Sequence, residues 1–85
     1  MNKSVQVTVK LFSHFRRIAG TDRLAVDLVE GATASDLMDV LSRKLDGAAL
    51  THGSASLVIN HRHALPEATL QEGDEVLLLP IIGGG

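Results

Sequence analysis

The stretch 33-TASDLMDVLSRKLDG-47 decides the fold, because it is the clearest helix in the chain and it stands between two groups of strands. Leu37, Val40, Leu41 and Leu45 recur at i, i+3, i+4 and i+8, the apolar stripe of a helix lying on a core. Thr33 or Ser35 can supply the N-cap oxygen, and Asp36 and Asp39 lie toward the positive end of the helix dipole. Arg43 and Lys44 fall in the last turn, where the dipole favours cations, and Gly47 can close the helix.

Working outward toward the N-terminus, 5-VQVTVKLF-12 puts Val5, Val7, Val9 and Leu11 on one face and Gln6, Thr8 and Lys10 on the other. That period of two, rich in β-branched residues, reads as a half-buried strand. In 13-SHFRRIAG-20 the residues Phe15, Ile18 and Ala19 recur at helical spacing before a glycine stop, which predicts a short helix. The stretch 23-RLAVDLVEG-31 sets Leu24, Val26 and Leu28 against Ala25, Asp27 and Val29, a second strand. The link between the two strands fits either a wide hairpin or a bulged turn containing the short helix.

Working outward toward the C-terminus, 48-AALTHGSA-55 reads as a loop and 56-SLVIN-60 as a short apolar strand, placed centrally. The run 61-HRHALPEATLQ-71 is mixed, with room for one more short strand, and Pro66 breaks any long element. A turn at 71-QEGDE-75 leads into 75-EVLLLPII-82, the last strand. The order strand, strand, helix, strand, strand is that of an α+β chain with a β-grasp (ubiquitin-like) architecture. A mixed four- to five-stranded sheet packs on one main helix, with the short helix after the first strand as an addition. The first and last strands can pair centrally in parallel, because the helix between them serves as the crossover. Residues 1–80 read as one domain and 81–85 as a flexible C-terminal Gly-Gly tail.

Composition narrows the function classes. With 85 residues and 45% apolar content, the chain suffices for one small core. Phe12 and Phe15 are its two aromatic residues, so there is no platform for stacking bases, and a net charge of −2 gives no footprint for nucleic acid or for an anionic membrane. No apolar run approaches the ~20 residues of a membrane span, and the N-terminus lacks the apolar block of a signal peptide, so the expected location is cytoplasmic. Cysteine is absent, which excludes disulfides, thiolate metal sites and a cysteine nucleophile. Any sulfur chemistry here must use sulfur brought from elsewhere.

The ending 80-PIIGGG-85 carries the most chemistry. Extended at ~3.3 Å per residue, Pro80 to Gly85 reaches about 20 Å beyond the domain. Gly83, Gly84 and Gly85 have no Cβ and can pass through a channel too narrow for any side chain. Their terminal carboxylate is inert as an acyl donor until it is activated, for example as an anhydride with AMP. Ordering the tail costs roughly 1–2 kcal/mol per residue. Burying Ile81 and Ile82 in a partner groove would return roughly 1.5–3 kcal/mol apiece. Backbone hydrogen bonds made by strand addition would supply the rest. The plainer alternative is a flexible end with no role.

These residues resemble the MoaD/ThiS-type ubiquitin-like sulfur carriers over nearly the whole chain, and most of all the branch that serves as the small subunit of molybdopterin synthase. The carriers of the resemblance are the opening strand with Phe12, Arg16 and Gly20, the Thr-x-x-x-Leu-x-x-x-Leu helix, Val58 to Asn60, and 70-LQEGDEV-76 with Pro80 and the terminal Gly84-Gly85. Two departures are Pro80-Ile81, where the family often has Pro-Pro, and Gly83, where it often has a small residue such as Ala, Ser or Thr.

The resemblance implies a mechanism. An ATP-dependent, ubiquitin-activating-type adenylyltransferase adenylates Gly85, and a persulfide sulfur donor converts the acyl-adenylate to a thiocarboxylate. The tail then delivers sulfur inside the large subunit of molybdopterin synthase, in a heterotetramer with two copies of each chain. It further implies that the chain binds no cofactor itself, is not catalytic alone, and meets its partners through Pro80, Ile81, Ile82, Gly83, Phe12 and Arg16, with Gly84 beside the reacting end. Alternatives are a sulfur carrier for thiamine, tRNA thiolation or cysteine, a protein modifier joined to lysines through Gly85, and a plain interaction module.

Other candidate groups carry less. His61 and His63 would point to the same side of a strand and could chelate a metal, but surface histidines at a hairpin are the simpler reading; His14 and His52 stand alone. Arg16 and Arg17 read as a solvated face or as a dock for an acidic surface. Asp74 and Glu75 read as turn chemistry, with docking as the alternative.

Overall fold

A computed structural model describes residues 3–45 and 55–80 of the chain. The elements are β1 (Ser4–Leu11), α1 (Ser13–Ala19), β2 (Arg23–Val29), α2 (Ala34–Lys44), β3 (Ala55–Ile59), β4 (Arg62–His63) and β5 (Glu75–Pro80). The strands form one mixed sheet in the order β2-β1-β5-β3-β4. β1 pairs antiparallel with β2 from Ser4↔Val29 to Lys10↔Arg23 and parallel with β5 from Thr8↔Glu75 to Leu11↔Leu78. The expected parallel pairing of the first and last strands is therefore present. The central place belongs to β5, however, and not to 56–60. β3 lies between β5 and the two-residue β4, and the strand runs one residue earlier than its apolar pattern suggests.

The alternation of β1 becomes a one-sided core. Val5, Val7, Val9 and Leu11 are buried together with Val26, Leu28, Leu57, Val76 and Leu78. Leu37, Leu41 and Leu45 of the α2 stripe complete this layer, with Phe15 of α1 and Leu70. Val40 packs against the core but stays half-exposed, while Met38 and Ala34, outside the expected stripe, are buried. In α1, Phe15 turns inward and Ile18 remains 40% exposed, so the short helix is anchored mainly by one aromatic ring, with Ala19 packed partly against the core.

The start of α2 is closed by both side chain and backbone. Thr33 is the cap: its Oγ1 accepts from the Asp36 N–H, and the Asp36 carboxylate accepts from the Thr33 N–H at 2.9 Å, a reciprocal capping box. The next two free donors are taken by a distant segment. Ala34 N–H donates to the Ala68 carbonyl at 2.8 Å and Ser35 N–H to the Pro66 carbonyl at 2.9 Å. The mixed run after His63 thus has a definite task, which its composition did not reveal. It lies over the positive end of α2 and buries Leu70 beneath it. At the other end, Leu45 is the C-cap and its N–H donates to Leu41 O; Gly47, the expected stop, lies outside the described residues.

Between β3 and β4 the chain turns on Asn60 (φ 49°) and His61 (φ 73°), while Ile59 pairs with Arg62. Two central residues with positive φ make the tight turn that suits a right-twisted hairpin. His61 is therefore a turn residue and not a strand neighbour of His63. The expected same-side pair is not formed, because a two-residue strand leaves no room for both.

Candidate functional site

Parallel pairing of β1 and β5 brings the C-terminal ends of both strands to one pole of the sheet. β5 ends at Pro80, whose last rung is with Ala55 of β3. Residues Ile81, Ile82, Gly83, Gly84 and Gly85 lie outside the described residues. At the same pole β1 ends at Leu11, opposite Leu78, and Phe12 follows as the residue that opens α1. Phe12 and Pro80, assigned to partner contact from far-apart sequence positions, are therefore brought to one end of the sheet. Arg16 is exposed on α1 just beyond Phe12, and its carbonyl accepts the Gly20 N–H at 3.0 Å.

The face of the sheet away from α2 is more apolar than the sequence pattern advertises. Leu77 and Leu79 of β5 are half-buried on it, and Leu77 stands opposite Val58 of β3. Val58 is 9% exposed yet is not part of the main core cluster. The Lys10 ammonium lies 5.8 Å from the centroid of the Phe12 ring. Lys10 belongs to this outer face, so the ring sits at its edge. Val58, Leu77, Leu79 and Phe12 thus form an apolar strip leading to Pro80. Sequence reasoning named Phe12 and Pro80 and missed the other three. The signal was available in 76-VLLL-79, which is apolar at every position and so greasy on both faces.

The far pole is built for stability. Asp74, at 9% exposure the one buried charged residue among those described, accepts from Asn60 Nδ2 and from the Gln71 N–H, both at 2.8 Å. Asn60 Oδ1 accepts from the Glu75 N–H at 3.0 Å, and the Asn60 N–H donates to the Glu75 carbonyl at 2.9 Å. Asp74 therefore does the turn chemistry expected of it. Asn60, not singled out beforehand for that role, is its partner. Among the described residues no group of three or more His, Asp or Glu is gathered as for a metal ion, and no helix is long and apolar enough to cross a membrane.

This geometry, a mixed sheet gripping one main helix with the last strand at its centre, defines the ubiquitin-like β-grasp class. The chain belongs to the ThiS family, whose sequence model matches residues 9–85. Among its relatives is the molybdopterin synthase sulfur carrier subunit of Drosophila yakuba, 37% identical over 86 residues, spanning 95% of this chain and 92% of that one. A solved structure from Pyrococcus furiosus, described as a putative molybdopterin converting factor subunit 1, superposes with a TM-score of 0.79 at 28% identity, covering 92% of this chain and 99% of its own. Small archaeal modifier protein 1 of Methanosarcina acetivorans superposes with a TM-score of 0.72 at 25% identity, covering 98% and 99%.

Proposed function

We propose that the chain is a sulfur carrier, the small subunit of a molybdopterin synthase, carrying sulfur as a thiocarboxylate on Gly85. The observation that carries the reading is the position of β5. The strand that leads to the glycines is the middle strand of the sheet, bonded on both sides, and its last rung is Pro80–Ala55. A firmly held last strand anchors the base of a tail whose final three residues are glycines, so a partner's reaction centre can bind and orient the end group. Membership of the family through residue 85 and the relatives named as sulfur carrier subunits support the same reading.

In this proposal the chain's own residues bind and position, and other proteins do the chemistry. An ATP-dependent adenylyltransferase joins AMP to the Gly85 carboxylate with release of pyrophosphate. A persulfide donor then displaces AMP to form an acyl disulfide, and a second thiol cleaves its S–S bond, leaving the thiocarboxylate on Gly85 and a disulfide on the donor side. Gly83 and Gly84 pass the narrow entrance, Ile81 and Ile82 fill a groove, and Pro80 and Phe12 meet the rim. The large subunit of the synthase receives the tail, and Arg16 and the apolar strip lie where its surface would rest. The test is the intact mass of the protein recovered from cells. An oxygen-to-sulfur exchange on the free chain is expected, and its absence from a strain active in cofactor synthesis would overturn the proposal.

The similarity to small archaeal modifier protein 1 favours one other reading, a modifier joined to lysines through Gly85. Isopeptide adducts retaining Gly84-Gly85 on other proteins, without the sulfur exchange, would decide for it.

A further inference from the structure

The outer face of β1 and β2 carries two rungs with polar or charged residues on both strands, and they differ in kind. At the far pole Gln6 stands opposite Asp27, and the two are joined by a hydrogen bond of 3.2 Å from Gln6 Nε2 to Asp27 Oδ1. Two rungs of the same face further on, Lys10 stands opposite Arg23. Like charges directly opposite on one face destabilise a sheet pair. Both side chains are exposed, and among the described residues neither makes an ion pair. Lys10 instead leans over the Phe12 ring, at the tail's end of the sheet. Together with Thr8, Leu77 and Glu75 the two cations line an open cavity of about 220 Å³.

The surrounding charge points the same way. The chain is net negative, yet residues 10–23 hold Lys10, Arg16, Arg17 and Arg23 against Asp22 alone, half of the eight Lys and Arg residues of the whole chain. This cationic pole is also the pole from which Pro80 leads to the tail. Glu75 lines the cavity at the rung of Thr8, on the side away from the tail, so an anion is favoured at the other end, beside Lys10 and Arg23.

We infer that the Lys10–Arg23 pair is a receptor for an acidic side chain of the large synthase subunit, beside the apolar strip of Val58, Leu77 and Leu79. The inference rests on the sulfur-carrier reading above and assigns part of that partner's chemistry. The area argues for this occupant. A stable interface buries roughly 800 Å² on each partner, more than a five-residue tail supplies, so the footprint must spread from the tail onto the neighbouring outer face. A carboxylate between two cations forms charge-assisted hydrogen bonds and relieves their mutual repulsion. The same pair speeds encounter with an acidic surface.

The test is the association rate of the full-length carrier with the purified large subunit across a series of salt concentrations. Lys10→Glu with Arg23→Glu should slow association roughly ten-fold or more at low salt, and the gap should close as salt rises. Lys10→Ala with Arg23→Ala should show a smaller loss in the same direction, and it serves as the readout if the charge-reversed chain does not fold. Equal rates for wild type and both variants at every salt concentration would overturn the inference, as would a loss confined to the charge reversal. If wild-type carrier neither associates with the large subunit nor bears a thiocarboxylate in cells, the sulfur-carrier reading itself fails. If wild type does both and the variants match it, only the assignment of the pair fails.

Discussion

Asn60 joins two elements with one side chain. Its amide donates to Asp74 and accepts from the Glu75 N–H, and its backbone sits at φ 49°, a left-handed position that asparagine tolerates better than most residues. Replacing it with Ala removes both hydrogen bonds and strips a donor from a buried carboxylate, at an expected cost of about 2 kcal/mol. In a domain of this size that lowers the melting temperature by roughly 8–16 °C. Asn60→Gly keeps the backbone free to adopt the turn and loses only the bonds. Comparing the melting curves of the two variants separates strain from lost pairing, and Ala should be the worse. Gly20 offers a purer case of strain. It sits at φ 74° as the C-cap of α1, and an added Cβ would meet nothing within 4 Å. Gly20→Ala should therefore cost about 1 kcal/mol from backbone conformation alone, read as a shift in denaturant midpoint with an unchanged m-value.

At the scale of elements, β5 and α2 show how far local pattern reaches. The α2 stripe, its last-turn cations and a cap at Thr33 or Ser35 were legible because helix period and capping chemistry are local; the structure chose Thr33. The burial of Met38 and Ala34 was not, since it depends on where β3 and the segment 64–70 come to lie. The capping box predicts that Thr33→Ala costs about 1 kcal/mol, and that adding Asp36→Ala costs less than the sum of the two, because each side chain bonds the other's N–H. β5 predicts a sharper contrast. Leu77 and Leu78 are neighbours in sequence on opposite faces of one strand. Leu78→Ala should cost roughly 2–5 kcal/mol through a core cavity. Leu77→Asp should leave a folded protein, as judged by circular dichroism, that no longer associates with the large subunit.

For the whole molecule, the expected outcome concerns the tail and the body together. Removing Gly84 and Gly85 should leave the thermal midpoint within roughly 2–4 °C, since surface changes away from packed or capped features stay within roughly ±0.5 kcal/mol, and should abolish sulfur delivery in a reconstituted synthase. Full activity of the truncated chain would refute the carrier reading at its root. The large subunit should also raise the carrier's melting temperature in a concentration-dependent way, because it binds only the folded body.

By itself the chain's order of residues determined the fold class. Period-two alternation in 5–11, period-3.6 spacing in 37–45 and the proline-to-glycine ending of 80–85 are written in adjacent residues, and short-range sterics and solvation suffice to read them. The same holds for Asp74 as a turn residue. Only tertiary structure decided that 56–60 flanks β5 instead of holding the centre, that Asn60 locks onto Asp74, and that Phe12 and the Leu77–Val58–Leu79 strip share one face with the Lys10–Arg23 pair, at the pole where β5 ends in Pro80. Those facts depend on strand order and register between segments up to about seventy residues apart. No local preference encodes such pairings; they follow from closing one hydrophobic core over a single helix, which leaves the opposite face of the sheet open to a partner.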